Sequence, residues 1–201
     1  DDRVLSDYGA AELLRDLQLP VYNPMTKLRL QEWLQERQAN FSHKMAGVIA
    51  EDELVTNSEA RRGTIGVVVL DSRGHLAAGT STGGKGFERI GRVSDSAMPA
   101  GNYATSDAAV SCTGIGEDIM EECLAARIVV RVTDGSSLVN AMERSFKEAR
   151  KNQRDFAAIA LDANGAIAWG KTSEVLLGAY HTGEKILDTL NMTKDVEFLP
   201  I

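Results

Sequence analysis

Two cysteines are all this chain has, Cys112 and Cys123, so no disulfide framework can be inferred from it. The three histidines, His43, His75 and His181, lie far apart and share no ligand spacing with each other or with the cysteines, which argues against a zinc centre. Basic residues are outnumbered: 22 Lys and Arg stand against 29 Asp and Glu, for a net charge of −7. A nucleic-acid footprint needs a basic patch, and this balance argues against one. No apolar stretch approaches the length of a membrane span. The chain begins at Asp1 rather than methionine, so an upstream segment, a signal peptide included, stays open. Asn40-Phe41-Ser42 and Asn191-Met192-Thr193 match the glycosylation sequon, a tripeptide that arises often by chance.

What is present is the makings of a folded core. A length of 201 residues, 43% hydrophobic and 25% charged, suits one globular domain with a sizeable interior. Leu13, Leu14 and Leu17 fall at helical spacing within 7–17, and Pro20 closes that segment. Asn23-Pro24 reads as a second helix start, with asparagine as cap and proline in the first turn, ahead of Leu28, Leu30, Trp33 and Leu34. From Ala39 to Arg62 the periodicity dissolves, as in an exposed linker where a chain is most easily cut.

After Thr64 the texture changes. Residues 65–71 and 75–81 are β-rich and flank the hairpin signal Ser72-Arg73-Gly74. A glycine-dotted loop runs from Gly83 to about Asn102, and a short strand, Ala108–Cys112, leads into Thr113-Gly114-Ile115-Gly116. Residues 117–132 and 136–150 read as helices, and 156–161 and 166–171 as strands around the turn Asp162-Ala163-Asn164-Gly165. A last strand is expected over 175–180. Helices between two runs of strands predict helices packed on the face of an antiparallel sheet.

Three threonines sit at strand ends beside glycine: Thr64 in "RRGTIG", Thr82 in "GTSTGG" and Thr113 in "SCTGIGE". Glycine allows positive φ and the close approach of a ligand. Each threonine alone is an ordinary strand-end residue. "GRVSD" adds Arg92, whose planar fork suits a carboxylate, and Asp95, able to hold an ammonium group. Together they match both charges of a free amino-acid backbone; by themselves they would pass for a surface ion pair.

In order and spacing, "GTIGVVVLDSRGHLAAGTSTGG", "GRVSDSAMPAGNYA" and "AVSCTGIGE" closely resemble the isoaspartyl peptidase/L-asparaginase family of N-terminal nucleophile hydrolases. The resemblance covers residues 64 to about 180. Residues 8–38 look like the end of that family's α subunit and 39–63 like its variable linker, so that residues 1–63 and 64–201 would be α and β parts, with most of the α part not in this chain. The first of the three stretches is also similar to the glycosylasparaginase branch, whereas Gly83-Gly84 and "SCTGIGE" look more like the asparaginase branch. A taspase-like protease fits less well, because Asp95 is present to bind a free ammonium.

The resemblance implies an α+β fold, the Ntn-hydrolase four-layer αββα sandwich. It implies a precursor that cuts itself between Gly63 and Thr64, and glycine suits the strained geometry of attack on its carbonyl. Thr64 would then be the nucleophile, with its freed α-amine, titrating near ~7.7–8.0, as the base. Thr82 matches the residue that supports the nucleophile. Thr113 and Gly114 match the oxyanion hole, Arg92 the carboxylate clamp, and Asp95 with Gly114 and Gly116 the ammonium site. The expected reaction is hydrolysis of the side-chain amide of L-asparagine and of β-aspartyl dipeptides. The rivals are a glycosylasparaginase and a non-catalytic relative that never matures. Also implied are a cytoplasmic location (lysosomal or secreted for the glycosylasparaginase branch), an αβ heterodimer that pairs into a dimer of heterodimers, no cofactor, and a sodium ion in the α part. Ser94 and Ala97 stand where the family usually has glycine and proline, a departure that bears on loop shape.

One motif points elsewhere. Gly165 to Thr172 fits the phosphate-loop expression G-x-x-x-x-G-K-[ST]. Its interior, Ala-Ile-Ala-Trp, is apolar and strand-like, and 29 residues after Thr172 leave little room for a nucleotide-binding sheet. Nucleotide binding is therefore not expected.

Overall fold

The computed structural model describes residues 4–23, 25–40, 63–84, 88 and 91–199. His43, the second residue of the first sequon onward, and most of the expected linker lie outside them. Two compact units are distinguished, Asp1–Thr56 with Gly86–Glu88, and Asn57–Lys85 with Arg89–Ile201.

The first unit carries helices α1 (Asp7–Asp16) and α2 (Lys27–Gln38). Asn23 does not cap α2. Thr26 does, accepting the Arg29 amide at 3.2 Å, while the Asn23 side chain accepts the Met25 amide at 3.0 Å. Asn23 makes a local turn three residues early; both are favoured uses of a short polar side chain, and the sequence pattern does not separate them.

The second unit opens with the hairpin β1 (Ile65–Leu70) and β2 (Leu76–Ser81), in register from Ile65 opposite Ser81 to Leu70 opposite Leu76. Asp71 closes its turn, its carboxylate accepting the amides of Arg73 and His75, each at 2.8 Å. A five-stranded antiparallel sheet follows, in the order β3 (Asn102–Ala104), β4 (Ala108–Gly114), β5 (Phe156–Asp162), β6 (Ile167–Lys171), β9 (Val196–Leu199). Helices α3 (Gly116–Glu122), α4 (Leu124–Thr133) and α5 (Leu138–Lys151) connect β4 to β5.

The two faces of β4 explain its continuous burial. Ala108, Val110 and Cys112 join Ile128, Leu138, Met142, Phe146 and Phe156 in the main core, under α4 and α5. The alternate residue Ser111 bonds to the hairpin on the other face. The unit is thus α+β, with helices on one face of the sheet and the hairpin on the other. Each large apolar side chain fully buried there contributes roughly 1.5–3 kcal/mol. Phe146 meets Phe156 edge to face, with ring centroids 5.7 Å apart.

Two expectations are corrected, and a third, a strand across the phosphate-loop match, is met. The helix expected over 117–132 is two helices, broken at Cys123, which takes the left-handed conformation at φ 47°. Nothing in the residue type signals this; the cost of the conformation is borne because apolar residues on both sides, Ile119, Leu124 and Ile128, are buried by the turn. The strand expected over 175–180 is confined to β7 (Ala179–His181), paired with β8 (Ile186–Asp188), because Gly178 and Leu176 serve instead to receive Thr189. The phosphate-loop match is mostly strand β6. Gly170 is required there for packing, since a Cβ on it would stand 2.7 Å from the Phe146 ring, and Lys171 donates to the Glu174 carbonyl at 2.9 Å.

Candidate active site

Thr64 immediately precedes β1 and Thr82 immediately follows β2, so the hairpin register brings them opposite each other. The Thr64 hydroxyl donates to Thr82 Oγ1 at 3.1 Å, and the Gly84 amide donates to the same oxygen at 3.1 Å. Gly84 has φ +80°, a turn that a Cβ would strain. A Cβ on Gly63 would meet nothing within 4 Å.

Thr113 and Gly114 end β4. Gly114 has φ +134°, and a Cβ on it would lie 2.5 Å from Phe156 Cα, so no other residue fits. The Ile115 amide donates to the Asp155 carbonyl at 2.9 Å, which fastens this turn to the start of β5.

Arg92, Asp95 and Gly116 form a second group. Asp95 is only 6% exposed. Glycines enclose its carboxylate: a Cβ on Gly101 would stand 2.6 Å from Oδ2, and one on Gly116 would stand 2.7 Å from Oδ1 and 3.0 Å from Arg92 Nη2. Burial pushes the Asp95 carboxyl above its ordinary value; the Arg92 charge pulls it back and the Glu117 charge pushes it further up. The Arg92 guanidinium is held by Glu117, with Nε and Nη2 each 2.9 Å from Oε1. Ser94, in place of the glycine usual in the resemblance, has extended backbone and caps a one-turn helix, Asp95–Ala97, accepting the Ser96 amide at 3.2 Å. Glycine's freedom is not needed there. Asn102 Nδ2 donates to the Ser96 carbonyl at 2.9 Å and braces the loop.

Gly101 and Glu117 were not singled out from the sequence. Glu117 does follow Gly116 within the conspicuous "TGIGE" run, whereas nothing local marks Gly101. Its value lies in a contact across the fold, reinforced where the Cys112 amide donates to its carbonyl at 2.8 Å. Cys112 itself is buried, and burial raises its thiol well above the usual range, so it is not a nucleophile at neutral pH. Among the described residues no group of three or more His, Cys, Asp and Glu is arranged to hold a metal ion, and no residue here is assigned to the sodium ion of the resemblance.

The profile described as Asparaginase matches residues 1–191. The chain belongs to the asparaginase family. It is 73% identical over 191 residues to an isoaspartyl peptidase/L-asparaginase from Nostoc sp., which covers 95% of this chain and 60% of that one. A Synechocystis sp. isoaspartyl peptidase/L-asparaginase is 63% identical over 192 residues, with 96% and 58% covered. The plant-type L-asparaginase of Pyrococcus horikoshii is 31% identical over 189 residues, with 90% and 60% covered. The chain spans about 60% of the length of these asparaginase relatives. Among the described residues no helix is long and apolar enough to cross a membrane.

Proposed function

We propose that this asparaginase-family chain forms part of a self-cleaving hydrolase of the side-chain amide of L-asparagine and of β-aspartyl dipeptides. The observation that carries the reading is the hydroxyl pair Thr64–Thr82 at the mouth of the hairpin. Thr64 Oγ1 attacks the Gly63 carbonyl carbon, the C–N bond to Thr64 breaks, and the resulting ester is hydrolysed, leaving a free α-amine on Thr64. In turnover that amine takes the hydroxyl proton as Oγ1 attacks the substrate's side-chain carbonyl. Thr113 and the Gly114 amide face the developing oxyanion, where loss of one donor costs ~2.7–4 kcal/mol. The leaving amine departs as ammonia or as the dipeptide's second residue, and water then releases aspartate from the Thr64 ester. Arg92 pairs with the substrate carboxylate, and Asp95, with backbone groups of Gly114 and Gly116, holds its ammonium.

The names of the relatives favour asparaginase and isoaspartyl peptidase over glycosylasparaginase. The four-layer αββα sandwich belongs to the same proposal. Ile65, Val67 and Val69 on the outer face of β1 are 74%, 52% and 46% exposed, a stripe suited to a further layer from the part of the relatives' length not spanned here. Assembly as paired αβ units in the cytoplasm is likewise proposed.

The test starts from protein made with residue 64 already exposed, by co-expressing the two parts. A pre-cut Thr64→Ala form is expected to release no ammonia from asparagine. Release at the wild-type rate would remove Thr64 from the role of nucleophile.

A further inference from the structure

Behind the hydroxyl pair lies a second one. Ser111, on β4, is 3% exposed and turned toward the hairpin. Its Oγ is 2.7 Å from Thr80 Oγ1 and 3.4 Å from the Gly79 carbonyl. A Cβ on Gly66 would stand 2.2 Å from that Oγ and 3.2 Å from the Ser111 Cβ. Three hairpin residues, Gly66, Gly79 and Thr80, thus enclose one serine of the five-stranded sheet. Nothing larger than a hydroxymethyl group fits between the two sheets at this point.

The spacing relates this contact to the reaction. Gly66 is two residues after Thr64, Thr80 two before Thr82, and Ser111 two before Thr113. Residues two apart on a strand share a face. Gly66 is opposite Thr80 in the hairpin register. Thr64 and Thr82 therefore make one rung of the hairpin and Gly66 and Thr80 the next, about 7 Å along the strands, and Ser111 meets that second rung. The first rung holds the proposed nucleophile, and the proposed oxyanion donors Thr113 and Gly114 end the strand that carries Ser111 in the other sheet. The second holds those sheets together through a hydrogen bond.

We propose that Ser111 and Thr80 are a positioning pair, which sets the separation between Thr64 on the hairpin and the oxyanion donors at the end of β4. The inference rests on the nucleophile reading above. Neither hydroxyl touches substrate; both act through the sheets that carry the reacting groups. Ser111 is buried and Thr80 half-buried, so removing the Ser111 hydroxyl takes from Thr80 this partner, removing that of Thr80 leaves Ser111 only the long contact to the Gly79 carbonyl, and either change lets the sheets shift. A misplacement of about 1 Å is enough to cost ~100-fold in rate.

The experiment uses the full chain after maturation and measures kcat and KM for asparagine. Ser111→Ala and Thr80→Val are expected to lower kcat ~10–100-fold with KM changed less than ~3-fold, and the double variant to be no slower than the worse single one. Gly66→Ala, which removes no hydroxyl but displaces Ser111, should give the same kcat-selective loss. Thr80→Ser, which keeps the hydroxyl, should retain at least about a third of the wild-type kcat. If Ser111→Ala does not fold, Thr80→Val against Thr80→Ser decides the matter. Wild-type kcat in Thr80→Val, equal losses in Thr80→Val and Thr80→Ser, or singles whose effects multiply in the double variant would each overturn the positioning role. Failure of the nucleophile reading shows separately, as ammonia release by the pre-cut Thr64→Ala form.

Discussion

Glu117 holds Arg92 by one side of its guanidinium, through Nε and Nη2. A lysine could keep the charge but not this two-point grip. Arg92→Lys is expected to lower kcat/KM for asparagine by ~10-fold or more, which steady-state kinetics will read directly. An unchanged value would place the carboxylate clamp elsewhere.

Glu117 also acts on Asp95. Burial, with the Glu117 charge adding to it, raises the Asp95 carboxyl, while Arg92 opposes the shift. Asp95 must be ionised to hold an ammonium, so kcat/KM should fall, as pH drops, at a higher pH than an ordinary aspartate near ~3.9 would give. Glu117→Gln removes the raising charge and should move that acid limb to lower pH. A limb that stays in place, or moves up, would contradict the assignment.

Asp95→Asn should separate stability from function. A carboxyl whose folded value lies above its unfolded one makes folding less favourable as pH rises through the interval between them, and the penalty persists at neutral pH. The asparagine variant should therefore melt at or above the wild-type temperature at pH 7 while losing asparagine turnover. A clear drop in melting temperature would mean that the buried charge is net stabilising.

Glu122 behaves in the opposite sense. It is buried, and burial alone would raise its carboxyl, but hydrogen bonds from Asn152, Arg127 and Arg154 outweigh that and hold it below the usual value. Its contribution is present above the unfolded value near ~4.3 and is lost as pH falls through the lower folded value. Glu122→Ala removes the shared acceptor of Asn152, Arg127 and Arg154, of which the two arginines keep other carboxylates, and should cost about 1–3 kcal/mol in denaturant unfolding at pH 7. The deficit should shrink in acid.

The phosphate-loop match should carry no nucleotide. Residues 167–171 are strand β6, paired with β5, so their amides are not gathered around an anion. Titration with ATP, followed by calorimetry, should show no binding in the wild type or in Lys171→Ala. Micromolar binding lost in Lys171→Ala would reverse this.

Period-2 alternation and turn residues are local properties, and they were enough to place the hairpin, β5, β6 and α5 within a few residues. The identity of Thr64, Thr82, Arg92 and Asp95 as candidates was equally legible, because glycine and threonine at strand ends and an Arg–Asp pair on a loop have few local reasons to coincide. What no local pattern could supply was the break at Cys123, since a left-handed cysteine is tolerated only where buried apolar side chains on both sides bind it in place. Nor could it supply β3, three residues long and made a strand by pairing with β4.

Residue type, order and spacing by themselves determined the candidate reacting groups and the family to which the chain belongs. Only the tertiary structure decided which of those groups are neighbours and what holds them there. Gly101 and Gly116 enclose Asp95, Glu117 holds Arg92, and Ser111 meets Gly66 across two sheets. The physical reason is that each of these is a contact between residues distant in the chain or on different elements. Burial, the absence of a Cβ and a carboxyl's titration acquire their meaning only when folding brings such neighbours within a few ångströms.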